Sequence, residues 1–497
     1  MIVDLNSALG DPIGEKEFDV CICGAGVAGI TLALNLSRNL NVLLLEAGGF
    51  DFSAESQSIY EGETVGRDFY ELTAGRLRYF GGTSNHWGGD CRPLDSYDFE
   101  RKSYLPFSGW PISQSDLSPY LKSAESILDL PEDLAWNKPQ GFIEETISSS
   151  QDFVSANLST SPPTRFGQKY RAAIEGQANI TCCLNANVTE LRLSDDHSKL
   201  DYCKIVSYSG AAFQARAKIF VLACGAIENA RLLLNANQQV SAGIGNQNDL
   251  VGRFFADHLF AQAAEFILED DVVGRVEGRP FGDSFKGRLK QHICNFDWTR
   301  EAAENFRGRR FCLSDIRHGF APSQRFMERD QILNFGLRVA LRAPGHEHDT
   351  DGIVVLCSEQ APNPLSRVTL ASTVDQFGMR KTKLDWRLSE IDLRTMQCAV
   401  FRFGEVFADL DLGRVRVQNW LSSDPVVFTN GPGHHHMGTT RMAESPESGV
   451  VDGFQKIFGT DNFYVAGSSV FTTGGYANPT LTIVQMTLRL ADHINSR

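Results

Sequence analysis

Apolar and polar positions alternate in a pattern that predicts several elements. Phe18–Cys23 is a short apolar run of strand length, followed by Gly24-Ala25-Gly26-Val27-Ala28-Gly29, a helix-compatible stretch and a second apolar run, Asn41–Leu45, that ends at Glu46. This is a strand–turn–helix–strand unit over roughly residues 17–50. An amphipathic pattern predicts a helix over 114–130. From about 180 to 224 the chain turns to strands (NITCCLNANVTELRL, DYCKIVSYS, AKIFVLACGA), and IENARLLL (227–234) then reads as a helix. A strand–glycine–helix sequence so late predicts that the chain returns to its first sheet. SRVTLAS (366–372) and KTKLDWRL (381–388) read as strands about the turn Asp375–Gly378. Ser389 and Asp392 have the spacing of a capping box. Behind them Leu393, Met396, Val400, Phe403 and Phe407 recur at helical spacing, a stripe better suited to core than to ligand contact. The chain closes with a strand at NFYVA (462–466), a Gly467-Ser468-Ser469 turn, the loop FTTGGYANPT and a helix from Pro479 to about Ile494.

A chain of 497 residues exceeds a single core, so more than one domain is expected. The net charge of −14 argues against nucleic acid or an anionic membrane as partner. The eleven cysteines are scattered without paired CxxC motifs, so neither an iron–sulfur centre nor structural zinc is expected, and free thiols fit a reducing compartment. The N-terminal stretch lacks a basic and an apolar signal region, and no apolar run has membrane-spanning length; a cytoplasmic location is the expectation. Residues 76–95 are too rich in glycine for a helix and read as a loop lying near a ligand.

Two constellations carry chemistry. In the first, Gly24 permits the tight turn out of the strand, Gly26 lets the backbone approach a pyrophosphate, and Gly29 lets helix and strand pack closely. The helix N-terminus favours phosphate, and Glu46 stands where a carboxylate meets a ribose hydroxyl. This predicts a dinucleotide site. The second is GPGHHHMGTTRM (431–442), which concentrates three of the eleven histidines. A metal site on His434 and His436 has no acid or thiol partner nearby at ligand spacing; a catalytic base and plain loop histidines are the other readings. Asn478, just before Pro479, is either a helix cap or a hydrogen-bonding group for a substrate oxygen.

The ordered set GAGVAG with Glu46, GGTSNHWGG (81–89), FVLACGAIENARLLL (220–234), VGRFFADH (251–258), EQAPNPLSRVTL (359–370), HHMGTTRM (435–442), GVVD (449–452) and NFYVAGSSVFTTGGYANPTLTI (462–483) resembles the glucose–methanol–choline (GMC) family of flavin-dependent oxidoreductases over nearly the whole chain. The look is nearest to bacterial members and to the pyranose-oxidase branch. The resemblance implies an α/β fold: a Rossmann-like FAD domain built from discontinuous segments (1–95, 165–260 and 437–497), with a substrate domain of antiparallel sheet and helices (96–164 and 261–436). It implies FAD held by Gly24, Gly26, Gly29, Glu46, Gly82, Thr83, Asn85, His86, Trp87, Val188, Gly225, Gly467, Ser468, Asn478, Pro479 and Thr480. The family's base falls on His435, with His434 and His436 as register alternatives, and its second catalytic group on Asn478. His86-Trp87 matches the position of a covalent flavin link in pyranose oxidases, but Asn85 stands where those enzymes carry threonine, so non-covalent FAD is the favoured reading and a link through His86 the alternative. The implied chemistry is oxidation of an alcohol, of sugar or glycoside class, with O2 or an external acceptor taking the electrons. A non-sugar alcohol dehydrogenase and a flavin protein of other chemistry are the alternatives. The loop around Gly345-His346-Glu347-His348 is expected to help select the substrate.

Overall fold

The structure is a computed structural model and describes residues 1–8, 10–14, 16–139, 141–269, 271–272, 318–341, 351–428 and 431–497; the loop around Gly345–His348 lies outside them. Its larger sheet has eight strands. Five run in parallel in the spatial order Ile2–Asp4, Ile180–Leu184, Val42–Leu45, Glu17–Cys23 and Ala212–Leu222. The long strand Ala212–Leu222 then forks. Its first half pairs antiparallel with Leu200–Val206, which pairs with Asn187–Leu193; its last residues pair in parallel with Phe463–Val465. The return to the first sheet expected from the late strand–glycine–helix pattern is thus present, and the C-terminal strand joins it too. Val20 to Cys23 and Val42 to Leu45 are buried without alternation, as strands covered on both faces must be.

A second, wholly antiparallel sheet of six strands runs in the order Gly413–Val417, Leu259–Leu268, Asp351–Ser358, Phe335–Leu341, His318–Pro322 and Phe153–Ser155. The helix Glu390–Asp409, started by the expected Ser389/Asp392 capping box, covers one face of it. The stripe Met396, Val400, Phe403 and Phe407 is fully buried there, with Phe403 meeting Phe153 and Phe320, so it is core. On the opposite face a Cβ on Gly336 would lie 2.6 Å from the Tyr476 ring, and the Cys357 thiol meets the Tyr476 carbonyl. The turn that precedes the last helix is therefore laid directly on the second sheet.

One element differs from its sequence pattern. The stretch 114–130 is not one helix: Gln114–Leu117 passes through a tight turn at Ser118–Tyr120 before Leu121–Ile127. Pro119 has no N–H to continue the ladder. The hairpin Arg367–Val374 with Arg380–Trp386 does not join the six-stranded sheet; its second strand pairs in parallel with Gly62–Gly66. That small sheet is tied to the helix Ala226–Asn235 by a buried charge network. Arg231 bonds Asp375 at 2.6 Å and Glu228 at 3.1 Å, and Arg76 bonds Glu228 at 2.8 Å. Burial works against the Glu228 carboxylate, but Arg231 and Arg76 outweigh it and hold its pKa below the ordinary value. Removing one partner strands the others in low dielectric. Arg231→Ala is expected to cost about 3–5 kcal/mol of stability, read as a lowered denaturation midpoint; an unchanged midpoint would refute the assignment. Among the described residues, no helix is long and apolar enough to cross a membrane.

Candidate functional site

Four parallel strands end side by side, and their loops form one rim. Gly24 N–H donates to Leu45 O, Ala223 N–H to Cys23 O and Ala466 N–H to Leu222 O, each at 2.7 Å. Two glycines of the first loop are required by close approach. Gly24 has φ +107° and a Cβ there would lie 2.6 Å from Ala223 O; a Cβ on Gly29 would lie 1.8 Å from Gly24 O. Three others along the rim, Gly26, Gly225 and Gly467, would project a Cβ into open space. The helix Val27–Asn35 has no side-chain cap and no acid in its first turn, so its N-terminal N–H groups are left for a ligand. The loop 81–87 closes over this rim: Gly81 N–H donates to Ala25 O at 2.8 Å, and a Cβ on Gly82 would lie 3.2 Å from Gly26 Cα. A groove with glycine faces beside an open helix end fits the pyrophosphate of FAD.

Glu46 is buried at the next strand end, where it accepts from the Ala25 and Gly48 N–H groups at 3.0 Å each. Burial raises its pKa despite those donors. A carboxylate has about four lone-pair sites, so acceptor capacity remains for a ribose hydroxyl. Val188 follows closely, since Ala186 N–H donates to Glu46 O. In the covering loop Thr83 lies at the surface, Asn85 donates to Phe80 O at 2.9 Å and Trp87 to Thr164 O at 2.9 Å. The His86 imidazole is pushed down to about 4, by burial first and then by His434 and Arg165.

That loop is held by backbone on two sides. Gly433 N–H donates to His258 O, Met437 and Ala256 exchange hydrogen bonds, and Gly438 N–H donates to Ser468 O. The buried Asp257 carboxylate accepts from the His435 N–H at 2.7 Å. Burial pushes Asp257 up to about 7, against the N–H groups of His435, His258, Gly433 and His434. The three imidazoles go to different places. His434 lies over the Tyr70 ring with centroids 4.0 Å apart. His436 is hydrogen-bonded to the Tyr70 hydroxyl and stands 3.8 Å from Asp257. Only His435, of the three, reaches Asn478: its Nε2 lies 3.1 Å from Asn478 Nδ2. Its other ring nitrogen, Nδ1, lies 2.8 Å from His258 Nδ1. Burial, followed by His258 and His434, holds the His435 pKa well below its ordinary value, so the ring is neutral at pH 7.

Asn478 does not cap the last helix. No side chain caps Thr480–Asn495, Pro479 stands at its start, and the Asn478 amide is turned to His435 with Oδ1 buried and unpartnered. Ser468 holds the histidine loop instead, donating from Oγ to His436 O at 2.7 Å. A neutral imidazole, an amide and an orphaned amide oxygen beside the glycine rim can take a proton from a hydroxyl and hydrogen-bond its oxygen.

Sequence reasoning missed Asp257, His258 and Tyr70 as members of this site. The first two close the run VGRFFADH and are followed at once by the strand Leu259–Leu268. It also missed a cluster of three buried thiols, Cys21, Cys23 and Cys203, whose sulfur atoms lie within 4.8 Å of one another. The two elements that meet there are far apart in the chain, so no spacing rule applies.

A family model described as GMC oxidoreductase matches residues 362–487. The chain is 25 % identical to 2-methyl-1,2-propanediol dehydrogenase of Mycolicibacterium austroafricanum over 97 % of its own length and 96 % of that protein. It is 24 % identical to 6'''-hydroxyparomomycin C oxidase of Streptomyces lividus over 97 % of its length and 92 % of that protein. Among solved structures, pyridoxine 4-oxidase from Mesorbium loti superposes with a TM-score of 0.64 at 16 % identity, covering 97 % of this chain and all of that one.

Proposed function

We propose that this chain, which matches the GMC oxidoreductase model over residues 362–487 and is similar to flavin-family relatives over nearly its whole length, is an FAD enzyme that oxidises a hydroxyl of a polyhydroxylated substrate of sugar or glycoside class, with His435 as the base and Asn478 as its partner. FAD, when bound, supplies the two-electron acceptor for the carbon-bound hydrogen. The protein's own part is proton handling. His435 Nε2 takes the hydroxyl proton, and the Asn478 amide donates to the oxygen as negative charge develops on it. The observation that carries this reading is the 3.1 Å pairing of a neutral imidazole with an amide whose oxygen has no other partner. His434 and His436 are already engaged with Tyr70. Gly26, Gly225 and Gly467 would cradle the pyrophosphate, with Gly24 and Gly29 permitting the turn and the close packing behind it; Glu46 would meet the ribose, and the loop Gly82–Trp87 would cover the ring system with His86 as a non-covalent neighbour. In this reading the rim belongs to an FAD domain and the six-stranded sheet to a substrate domain.

The sugar assignment is supported by the name of a further relative, fructose dehydrogenase large subunit of Gluconobacter japonicus, while that of the Mycolicibacterium austroafricanum relative makes a simple vicinal diol the second reading. Anaerobic mixing with a panel of sugars, glycosides and diols, in the dark and without NAD(P)H, tests both. Bleaching of the visible flavin band by a sugar or glycoside is the expected result, and its recovery on admitting air separates O2 from an external acceptor. Bleaching by NAD(P)H alone would overturn the reading.

A further inference from the structure

Two groups form a continuous chain behind His435, on the side away from Asn478. Gly475 O lies 2.8 Å from His258 Nε2, and His258 Nδ1 lies 2.8 Å from His435 Nδ1. We infer that the Gly475 carbonyl, acting through His258, fixes His435 as the Nδ1–H tautomer and so leaves its Nε2 lone pair on the Asn478 side. Only the catalytic consequence rests on His435 being the base.

A carbonyl oxygen has lone pairs and no hydrogen. The Gly475 contact therefore requires a hydrogen on His258 Nε2. A neutral imidazole carries a single N–H, so His258 Nδ1 is bare and can only accept. The hydrogen in the contact between the two rings must then belong to His435 Nδ1. By the same count His435 Nε2 is bare, and Asn478 must present its NH2 group to it, which leaves Oδ1 as the unpartnered atom, as observed. Turning the His258 ring over would place carbon atoms at both contacts and lose them together. Burial pushes His258 down to about 4, so the doubly protonated alternative is absent at neutral pH. The groups facing the pair agree. Arg338 acts on both rings as a cation and is itself paired with Asp90, while Asp257 meets His435 through the backbone N–H and not through the ring.

The carbonyl at the head of the chain is aimed by the backbone. Gly475 has φ +54°, and a Cβ there would lie 2.9 Å from both Asp98 Oδ2 and Leu94 Cδ2. Its N–H donates to Glu359 Oε1 at 3.0 Å, so the preceding peptide is pinned as well. His258 is thus a positioning residue, acting on His435 without touching the reacting atoms.

The test uses the FAD-loaded protein with 15N-labelled histidine and long-range 1H–15N correlation of the imidazoles, with His435→Gln and His258→Phe spectra providing the assignment. Expected are a proton on His435 Nδ1 with Nε2 bare, and the reverse for His258. His258→Phe removes the acceptor, so His435 should shift toward the Nε2–H form and kcat should fall more than KM changes. The fall should lie between about tenfold and about 10⁴-fold, the upper figure being the cost of a wrong histidine tautomer in a Ser-His-Asp triad. His258→Asn keeps an acceptor oxygen and an N–H donor and should restore most of the loss and the Nδ1–H signature. Finding Nε2 protonated on His435 in the unaltered protein, or an unchanged His435 signature in His258→Phe, would overturn the inference. The expected tautomer shift with full turnover would uphold it and remove His435 as the base.

Discussion

His435→Ala is expected to slow flavin reduction by the alcohol substrate by at least ~10²–10⁴-fold, the contribution of a positioned general base, while FAD stays bound. The side chain pairs with His258 and Asn478. Its backbone N–H, which holds Asp257 at 2.7 Å, survives the substitution. Rapid-mixing absorbance reads the loss directly, and a variant that reduces its flavin at the original rate would exclude His435. The same residue sets an expectation for pH. The competent ring is neutral, and burial together with His258 lowers its pKa well below the ordinary 6.5. Protonation disables it only as pH falls through that lowered value. The acid limb of kcat/KM should therefore lie below 6.5 and not near it. A limb at or above the ordinary imidazole value would mean that the base is not held in this environment.

Gly26→Val is expected to give a folded protein without colour. At this position φ is −85°, which any residue adopts, and a Cβ would meet no protein atom within 4 Å. The added side chain fills space on the ligand side of the rim, so the loss falls on FAD and not on the chain. FAD content should drop from stoichiometric to near zero, with the far-ultraviolet circular dichroism unchanged. Gly29 provides the contrast, because a Cβ there would sit 1.8 Å from a backbone oxygen and strain the strand–helix junction itself. A yellow Gly26→Val protein would show that the pyrophosphate lies elsewhere.

These two positions also show what was legible in the sequence. The first turn could be read because its requirements are local: two glycines forced by backbone contacts, one opening on free space and a carboxylate at the next strand end. The late return to the sheet was legible for the same reason, through the strand running into Gly225. What was hidden depends on distance. His258 and His435 are separated by 177 positions and His258 and Gly475 by 217, so their hydrogen bonds exist only once two sheets and the C-terminal turn have met. The strand Gly62–Gly66 is exposed throughout and carries no apolar alternation, so nothing in its residues announced a partner more than 300 positions away. Asn478 was ambiguous because a cap and a hydrogen-bond donor use the same amide; the fold resolves this by giving the helix start to Pro479.

The short turn from Gly475 to Asn478 grips the pair of imidazoles at both ends, with a carbonyl at one and an amide at the other. Basicity and aim are consequently inherited as one unit. Any insertion or deletion between these two residues would misalign both at once, with no intermediate in which one is adjusted while the other is spared.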